Sequence, residues 1–421
     1  MKIRNILCLL LTFLILTLQT AYAAPEAPEI KSQSVVVMDA STGHVIYKKE
    51  PVKKSSPASL TKILASLVIL ENSSLNNDVT VEQSVIDTVA NTRNIGLIDG
   101  EVLSMKDLVY GMLMQSANDC AVSAAASVSG STEGFVKLMN EKAKELGAKN
   151  THFSNVTGLH ADTHYTTAED MAIILSHAMN NAEYMEIAGE KNYVIPLNEK
   201  VQYTRTLTAS CNLLSAGENG FNGINSGVYG YTDQGRYTGA VTASKNGFNI
   251  VCIVMGAPDE SAREADIKNL INYSFDNFHT ITVNPEDVPE ITAPLKGLLG
   301  KTGEVEFKLP STVVLTVPKG ADANNIQYAP NLNKSYKKQA EYSATVELKY
   351  ENEPITTLNF KGTAAKKITF YNIIKTLFII ILIVILLFIL LCAYYIIDSE
   401  RKRKKRKQNK IKRSLRIKKD I

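Results

Sequence analysis

The sequence is poor in cysteine, and the few cysteines that it has form no metal-binding pattern. Five cysteines are spread over 421 residues, which is too few for a disulfide scaffold. No two of them stand in the Cys-x-x-Cys spacing typical of zinc sites. Three lie between residues 24 and 376 (Cys120, Cys211 and Cys252), and since an odd number cannot all pair, we expect them to be small buried residues. We predict neither a bound metal nor a cofactor.

The body of the chain also lacks the basic surplus that is typical of a nucleic-acid-binding protein. The formal net charge is only +4, but residues 401–421 alone carry thirteen basic side chains and one acid. Without this +12 and the +2 from Lys2 and Arg4, residues 24–400 have a net charge of about −10. We therefore predict no nucleic-acid partner. With 45% apolar residues the chain is expected to fold, and its length suggests two domains.

Residues 1–23 have the features of a secretory signal peptide. Two basic residues precede an uncharged, mostly apolar run from residue 6 to residue 18. Ala21 and Ala23 follow at the −3 and −1 positions of a cleavage site, so cleavage is predicted after Ala23. The alternative is an uncleaved membrane anchor.

A second apolar run, residues 377–397, predicts one transmembrane helix. It contains twenty-one residues without a charge and would be about 32 Å long as a helix, enough to cross a bilayer core. Seven consecutive basic residues follow at 401–407, and basic residues beside a span stay in the cytoplasm. The predicted topology places residues 24–376 outside the cell membrane and the basic tail, 398–421, inside. For this tail, a stop-transfer anchor that is attracted to anionic lipid is favoured over nucleic-acid binding.

Between these ends, the hydrophobic pattern predicts two folded domains. Residues 24–285 mix helices, one of which begins near Pro57, with β-prone runs such as 237–243. This pattern indicates an α+β domain. Residues 286–365 contain short strands separated by turn residues, which indicates a small all-β domain. Because this second domain directly precedes the predicted span, its simplest role is that of a pedestal.

Two short motifs in the first domain have the residues needed for nucleophilic catalysis. Ser59 and Lys62 are three residues apart near the start of a predicted helix, so the hydroxyl and the amine lie on the same face. A lysine in apolar surroundings is easily deprotonated and can then act as a base. Ser116 and Asn118 fall in a break between two helical segments, where side chains can point into a cleft. Asp119 is expected to cap the second of these helices.

In these motifs and their order, the sequence resembles the low-molecular-mass penicillin-binding D-Ala-D-Ala carboxypeptidases, serine peptidase family S11. The resemblance covers roughly residues 30–270. It rests on VMDASTG at 37–43, SSPASLTK at 55–62, SAND at 116–119 and the segment 158–171. The resemblance implies a catalytic domain of the β-lactamase/transpeptidase type, with an antiparallel sheet and helices.

The third motif of this family, Lys-Thr-Gly, is replaced in this chain. We expect it on a strand near residue 225, where the sequence has Asn225-Ser226-Gly227. Losing the lysine removes a positive charge from a site that binds a carboxylate, which could cost about 1.5–3 kcal/mol of binding energy. A literal Lys-Thr-Gly stands at residues 301–303. It lies within the predicted all-β domain, in what reads as a hairpin turn, so we do not assign it to the active site.

The resemblance also implies a mechanism and a set of partners. Ser59 attacks the peptide bond between the two D-Ala residues of a peptidoglycan stem peptide, Lys62 accepts its proton, and Ser116 relays a proton to the leaving amine. β-Lactams would be trapped at the acyl-enzyme stage and act as inhibitors. Substrate contacts are implied for Asn118, Asn225, Ser226, Gly227 and Val228, with the backbone N–H groups of Ser59 and Val228 forming the oxyanion hole.

Three functional hypotheses follow. The first is a D-Ala-D-Ala carboxypeptidase, and the second is a non-catalytic relative that binds wall peptide or β-lactam, motivated by Asn225. The third, a β-lactamase, is disfavoured by the pedestal, by the membrane anchor and by Ser-Ala-Asn in place of Ser-Asp-Asn.

Three histidines, His152, His160 and His164, are close together in the sequence. Their spacings of eight and four match no zinc-ligand pattern, and a surface loop is the favoured interpretation.

Overall fold

The computed structural model describes residues 26–214, 221–297, 300–365 and 370–417. The predicted signal peptide lies outside the described residues. The chain divides into two compact units. The first contains the described residues up to Val283 together with Thr312–Gln327 and Lys349–Ile355, and the second contains Asn284–Ser311, Tyr328–Leu348 and the described residues from Thr356 onward. The domain limits given above stay a prediction.

The first unit contains both helices and strands. Its helices are α1 (Thr61–Asn72), α2 (Gln83–Ile86), α3 (Met105–Met114), α4 (Asn118–Ser129), α5 (Thr132–Glu145), α6 (Ala168–Ala178), α7 (Ala182–Gly189) and α8 (Glu260–Asn277). Its strands are β1 (Ser34–Asp39), β2 (Val45–Lys49), β3 (Asp78–Thr80), β4 (Val102–Ser104), β5 (Asn192–Ile195), β6 (Arg205–Thr208), β7 (Ile224–Thr232), β8 (Arg236–Lys245), β9 (Phe248–Ala257), β10 (Phe278–Val283) and β13 (Val313–Pro318). Short 3₁₀ turns occur at Ala58–Leu60, Asp87–Val89 and Asn212–Leu214.

The central feature of the first unit is a five-stranded antiparallel sheet in the order β2-β1-β9-β8-β7. Successive side chains of a strand point to opposite faces, and both faces of this sheet are buried. On one face Val36, Val251 and Ile253 pack with the apolar residues of the helices from α1 to α7. On the other face Val35 and Cys252 pack with those of α8. The sheet is thus enclosed between two helical layers.

The second unit is rich in strands, as the sequence indicated. They are β11 (Ile291–Gly297), β12 (Gly300–Lys308), β14 (Gln327–Asn331), β15 (Tyr336–Lys337), β16 (Tyr342–Tyr350) and β17 (Glu353–Ala365), which form a six-stranded sheet in the order β14-β16-β17-β12-β11-β15. The literal Lys-Thr-Gly at residues 301–303 lies at the beginning of β12.

A final helix, α9 (Phe370–Ile417), contains the predicted span. Of the helices in the described residues, it is the one long and apolar enough to cross a membrane, and the rest of the described chain covers none of its apolar segment. The predicted fold class is confirmed: an α+β first part, a sheet-rich second part, and one apolar helix near the C-terminus.

Candidate active site

A cleft of about 580 Å³ opens in the first unit beside the predicted nucleophile. Ser59 lies in the 3₁₀ turn that leads into α1, where Ala58 adopts a φ of 51°. A positive φ is costly for a residue with a side chain, and it occurs where the surrounding structure enforces it. The turn leaves Ser59 half-buried and on the wall of the cleft.

Lys62, one turn into the same segment, is fully buried below Ser59. Burial lowers its pKa to about 7, with a further lowering by the positive charge of Arg93 and a small opposing contribution from Cys120. Its Nζ donates to Asn118 Oδ1 (2.7 Å) and to the Thr157 carbonyl oxygen (2.5 Å). A neutral amine has two N–H bonds and one lone pair. Because both N–H bonds are used by these acceptors, the lone pair of neutral Lys62 is left to accept a proton.

The loop between α3 and α4 supplies Ser116, and the first residue of α4 is Asn118. Ser116 lies on the cleft wall and, like Ala58, has a positive φ (53°). Its Oγ donates to the Tyr229 carbonyl oxygen at 3.3 Å. Asn118 accepts from Lys62 as described, while its Nδ2 donates to Thr92 Oγ1 at 3.0 Å. The structure therefore brings together all four of the predicted residues Ser59, Lys62, Ser116 and Asn118.

Strand β7 forms the opposite wall, and it is an edge strand of the five-stranded sheet. The Tyr229 carbonyl faces Ser116 rather than β8. Since backbone groups two residues apart in a strand point to the same edge, the N–H of Tyr231 faces the cleft as well. Gly230 lies between them, and a Cβ at this position would be 2.6 Å from the backbone nitrogen of Ser59. Only glycine allows the strand to approach the nucleophile so closely.

The third motif must accordingly be placed three residues later than the sequence suggested. None of Asn225, Ser226, Gly227 and Val228 lines the cleft. Ser226 is buried and its hydroxyl is hydrogen-bonded to Thr242 Oγ1 (2.8 Å), and Gly227 faces Cys211, whose sulfur would lie 2.4 Å from an added Cβ. Because side chains alternate along a strand, a shift of three residues moves a residue to the other face.

With its glycine at Gly230, the motif reads Val228-Tyr229-Gly230. Val228 is 1% exposed and belongs to the apolar core. The lysine of the family motif is therefore replaced by Val228, and the predicted replacement by Asn225 is corrected. On this strand the N–H of Tyr231, rather than that of Val228, faces the cleft.

Two arginines that the sequence reading did not select also line the cleft, Arg93 and Arg263. The guanidinium of Arg263 lies 3.6 Å from the centroid of the Tyr229 ring and 2.9 Å from Glu260 Oε1. Its side chain is 4% exposed. Arg93 is exposed and lies on the loop before β4. No local sequence motif identifies either arginine, because each comes to line the cleft only when segments that are distant in the sequence fold together.

His164 is not a surface residue, contrary to the prediction. It is 2% exposed, and its Nδ1 accepts a hydrogen bond from the Ser154 N–H (3.0 Å), so its Nε2 carries the proton. This Nε2–H donates to Thr61 Oγ1 (2.9 Å), which in turn donates to the Ala58 carbonyl oxygen (2.9 Å). The chain of bonds ends at the strained residue before Ser59. His152 and His160 are exposed, and the described residues contain no group of three potential metal ligands.

Comparisons with known proteins place this chain in one family. The family model described as D-alanyl-D-alanine carboxypeptidase, Peptidase_S11, matches residues 21–259. The chain is 30% identical over 320 residues to D-alanyl-D-alanine carboxypeptidase DacC of Escherichia coli, covering 73% of this chain and 77% of the relative. It is 29% identical over 302 residues to DacF of Bacillus subtilis, covering 70% and 75%.

Solved structures agree with these relatives. Penicillin binding protein 5 from Haemophilus influenzae has a TM-score of 0.66 at 24% identity, over 80% of this chain and 98% of that one. A mutant of the Streptomyces K15 DD-transpeptidase has a TM-score of 0.56 at 26% identity, over 59% of this chain and 99% of that one.

Proposed function

The chain belongs to the D-alanyl-D-alanine carboxypeptidase family, the S11 serine peptidases, and from this premise we propose how its own residues perform the reaction. The substrate is a peptidoglycan stem peptide that ends in D-Ala-D-Ala, and the product is the peptide shortened by one D-Ala. The observation that carries the proposal is the buried Lys62, whose two N–H bonds are both taken by Asn118 and Thr157.

Acylation begins when the lone pair of neutral Lys62 removes the proton of the Ser59 hydroxyl. The oxygen of Ser59 then attacks the carbonyl carbon between the two D-Ala residues and forms a tetrahedral intermediate. A pKa of about 7 for Lys62 suits this role, because a general base is most effective when its pKa is near the working pH.

The negative charge of the intermediate is placed between two backbone donors, the N–H of Ser59 and the N–H of Tyr231. The close approach of Gly230 to Ser59 N supports this pair, because an oxyanion hole needs its donors on both sides of one oxygen atom. The substrate backbone would lie along the open edge of β7, where an edge strand offers unpaired N–H and C=O groups to an extended peptide.

Collapse of the intermediate breaks the peptide bond, and the leaving amine of D-Ala takes up a proton. Ser116, whose hydroxyl donates to the Tyr229 carbonyl oxygen of β7, relays that proton from protonated Lys62. Water then hydrolyses the ester at Ser59, with Lys62 again neutral and acting as base. A β-lactam forms the same ester, but its tethered leaving group stays in the cleft, which accounts for inhibition.

For the whole chain we propose membrane anchoring through residues 377–397, with the catalytic unit on the outer side and the basic tail in the cytoplasm. The support is the apolar helix α9 followed by seven consecutive basic residues.

The decisive experiment measures D-Ala release by the purified full chain from a peptide ending in D-Ala-D-Ala. We expect release that is abolished in Ser59→Ala and in Lys62→Met, with Ser84→Ala as the control because Ser84 is exposed and lies outside the cleft. Release by the wild type no faster than by Ser59→Ala would overturn the enzymatic proposal and favour a wall-peptide-binding relative.

A further inference from the structure

The loop that carries Arg93 is fixed to the active site by one backbone and one side-chain hydrogen bond. The Arg93 carbonyl accepts the N–H of Asn118 at 2.7 Å. Its neighbour Thr92 accepts Nδ2 of the same asparagine, whose Oδ1 binds Lys62. Loop and catalytic amine are thus joined through one side chain.

The far end of the loop is fixed as well. The Asp119 carboxylate, in the first turn of α4, accepts the backbone N–H groups of Ile95, Gly96 and Leu97 at 3.0 to 3.3 Å. These bonds, at both ends of the loop, hold the backbone of Arg93 at the rim of the cleft. The position of the Arg93 Cα, from which the side chain extends, is therefore fixed.

The cleft has a positive charge that no carboxylate of the described residues neutralises. Among the described residues that line it, Arg93 and Arg263 are the cations. Arg263 is paired with Glu260 and stacked on Tyr229. Arg93 is exposed and makes no ion pair within the described part of the chain. Lys62 is too deeply buried to meet a substrate carboxylate, and the family's lysine position is occupied by apolar Val228.

We propose that Arg93 is a specificity-determining residue that binds a carboxylate of the stem peptide, in the electrostatic role left empty by Val228. This inference rests on the proposed function, since it names a group of the same substrate. A guanidinium presents paired N–H donors that match the two oxygens of a carboxylate. The carboxylate is either the C-terminal one of D-Ala or one on a side chain upstream of D-Ala-D-Ala, and two peptides distinguish these sources.

The electrostatic environment of Lys62 is consistent with the same assignment. The charge of Arg93 lowers the pKa of Lys62. The electrostatic field of the guanidinium therefore extends to the catalytic amine. A carboxylate bound at Arg93 would accordingly lie within the cleft that contains Ser59.

The test measures peptide binding rather than turnover, so that it stands apart from catalysis. The full chain carrying Ser59→Ala is titrated by calorimetry with two peptides ending in D-Ala-D-Ala. One peptide has an upstream residue with a neutral side chain, and the other has an upstream side-chain carboxylate. The same titrations are repeated after adding Arg93→Gln, Arg93→Lys, or the control Lys149→Gln, which removes an exposed charge outside the cleft.

We expect Arg93→Gln to raise the Kd of at least one peptide by about tenfold to a hundredfold, Arg93→Lys to raise it less, and Lys149→Gln to leave it unchanged. An equal rise for both peptides assigns the C-terminal carboxylate, and a rise for the second peptide alone assigns the side-chain carboxylate. A Kd unchanged by Arg93→Gln for both peptides, with an unchanged melting temperature, overturns the inference.

The proposed function is judged separately, by D-Ala release from the enzyme with intact Ser59. A wild type that binds both peptides but releases no D-Ala would contradict the proposed activity while leaving the role of Arg93 to be decided by the titrations. Absence of binding by Ser59→Ala itself, for both peptides at millimolar concentration, contradicts the inference as well.

Discussion

Single residues decide the protonation chemistry of the cleft. Lys62 is neutral for about half of the molecules near pH 7 because burial lowers its pKa to about 7. The charged and titratable groups that act on it are Arg93, which lowers the pKa, and Cys120, which opposes this slightly. The buried Cys120 thiol has a pKa raised well above its ordinary value and stays protonated, so the profile of activity against pH is set by the lysine.

We predict that kcat/KM for D-Ala release rises with pH through a midpoint near 7 and levels off above it. The sign follows because the reactive form of Lys62 is the neutral amine, whose fraction grows as pH increases. Removing the positive charge in Arg93→Gln should move the midpoint upward. A downward shift, or a profile without any rise between pH 6 and 8, would contradict the assignment of Lys62 as base.

A glycine pair provides a second prediction at this scale. In Gly230→Ala the new methyl group would meet Ser59 N and Thr238 Oγ1, so the rate of acylation by a fluorescent penicillin should fall about a hundredfold or more. In the matched variant Gly227→Ala the methyl group would meet Cys211 on the other face. That variant should lose stability, seen as a lower melting temperature, while the molecules that remain folded acylate normally. The reverse pattern would return the third motif to residues 225–227.

At the scale of elements, the 3₁₀ turn before α1 is held by a relay of hydrogen bonds from a distant loop. His164 connects Ser154 to Thr61 and, through Thr61, to Ala58. Desolvation lowers the pKa of His164 to about 4, with smaller contributions from His152, His160 and Lys62. Its neutral form is required, because a protonated ring cannot accept the Ser154 N–H.

We predict that stability falls as pH is lowered from about 6.5 towards 4. In this window His164 is protonated in the unfolded chain but stays neutral in the folded chain. Lowering the pH therefore favours the unfolded state. The loss from this group approaches about 3 kcal/mol at the lower end. Melting temperatures across this range should show a shallower slope in His164→Asn than in the wild type, and an unchanged slope in His177→Asn, an exposed control. Equal slopes for all three would contradict the prediction.

The elements also show how far the sequence could predict the site. The proximity of Ser59 to Lys62 and of Ser116 to Asn118 could be predicted because each pair is local, either one helical turn apart or within one interhelical break. The third motif was misplaced because β7 contains both Gly227 and Gly230. The sequence alone does not show which of the two glycines faces Ser59. The face is fixed by pairing with β8, in which Gly227 lies opposite Val241, and pairing is a property of the folded sheet.

Asp119 gives a similar lesson. It was expected to cap α4, but the helix begins at Asn118 and the carboxylate instead binds the loop that carries Arg93. The sequence alone does not distinguish an aspartate that caps a helix from one in the first turn that binds a neighbouring loop. His164 was expected at the surface because its spacing from the other histidines carries no information about burial. The fold class was predictable, since it depends on hydrophobic periodicity over many residues.

At the scale of the whole molecule, the charge of the chain is strongly uneven. The net charge of about −10 in residues 24–400 and of +12 in residues 401–421 suits a protein whose two ends meet different surroundings. The apolar residues of α9 that precede the basic tail are exposed in the described chain, and a lipid bilayer is an environment that suits them.

We predict that the full chain stays with membranes after washing with high salt and with alkaline carbonate, whereas a chain that ends at residue 376 is released. A variant that lacks residues 377–397 but retains the basic tail separates insertion from adsorption. Because adsorption to anionic lipid is electrostatic, salt should release this variant. Release of the full chain by salt would argue against a span.

The buried Lys62 links the enzyme to its surroundings in a further way. In the proposed topology the catalytic unit faces the exterior, where pH is not buffered by the cytoplasm. With a pKa of about 7, the neutral fraction of Lys62 falls from about one half at pH 7 to about one tenth at pH 6. A culture that acidifies its own medium would therefore slow the trimming of its wall without any change in enzyme abundance. Stem peptides with both D-Ala residues would then accumulate, so ambient acidity itself would act as a regulator of wall maturation.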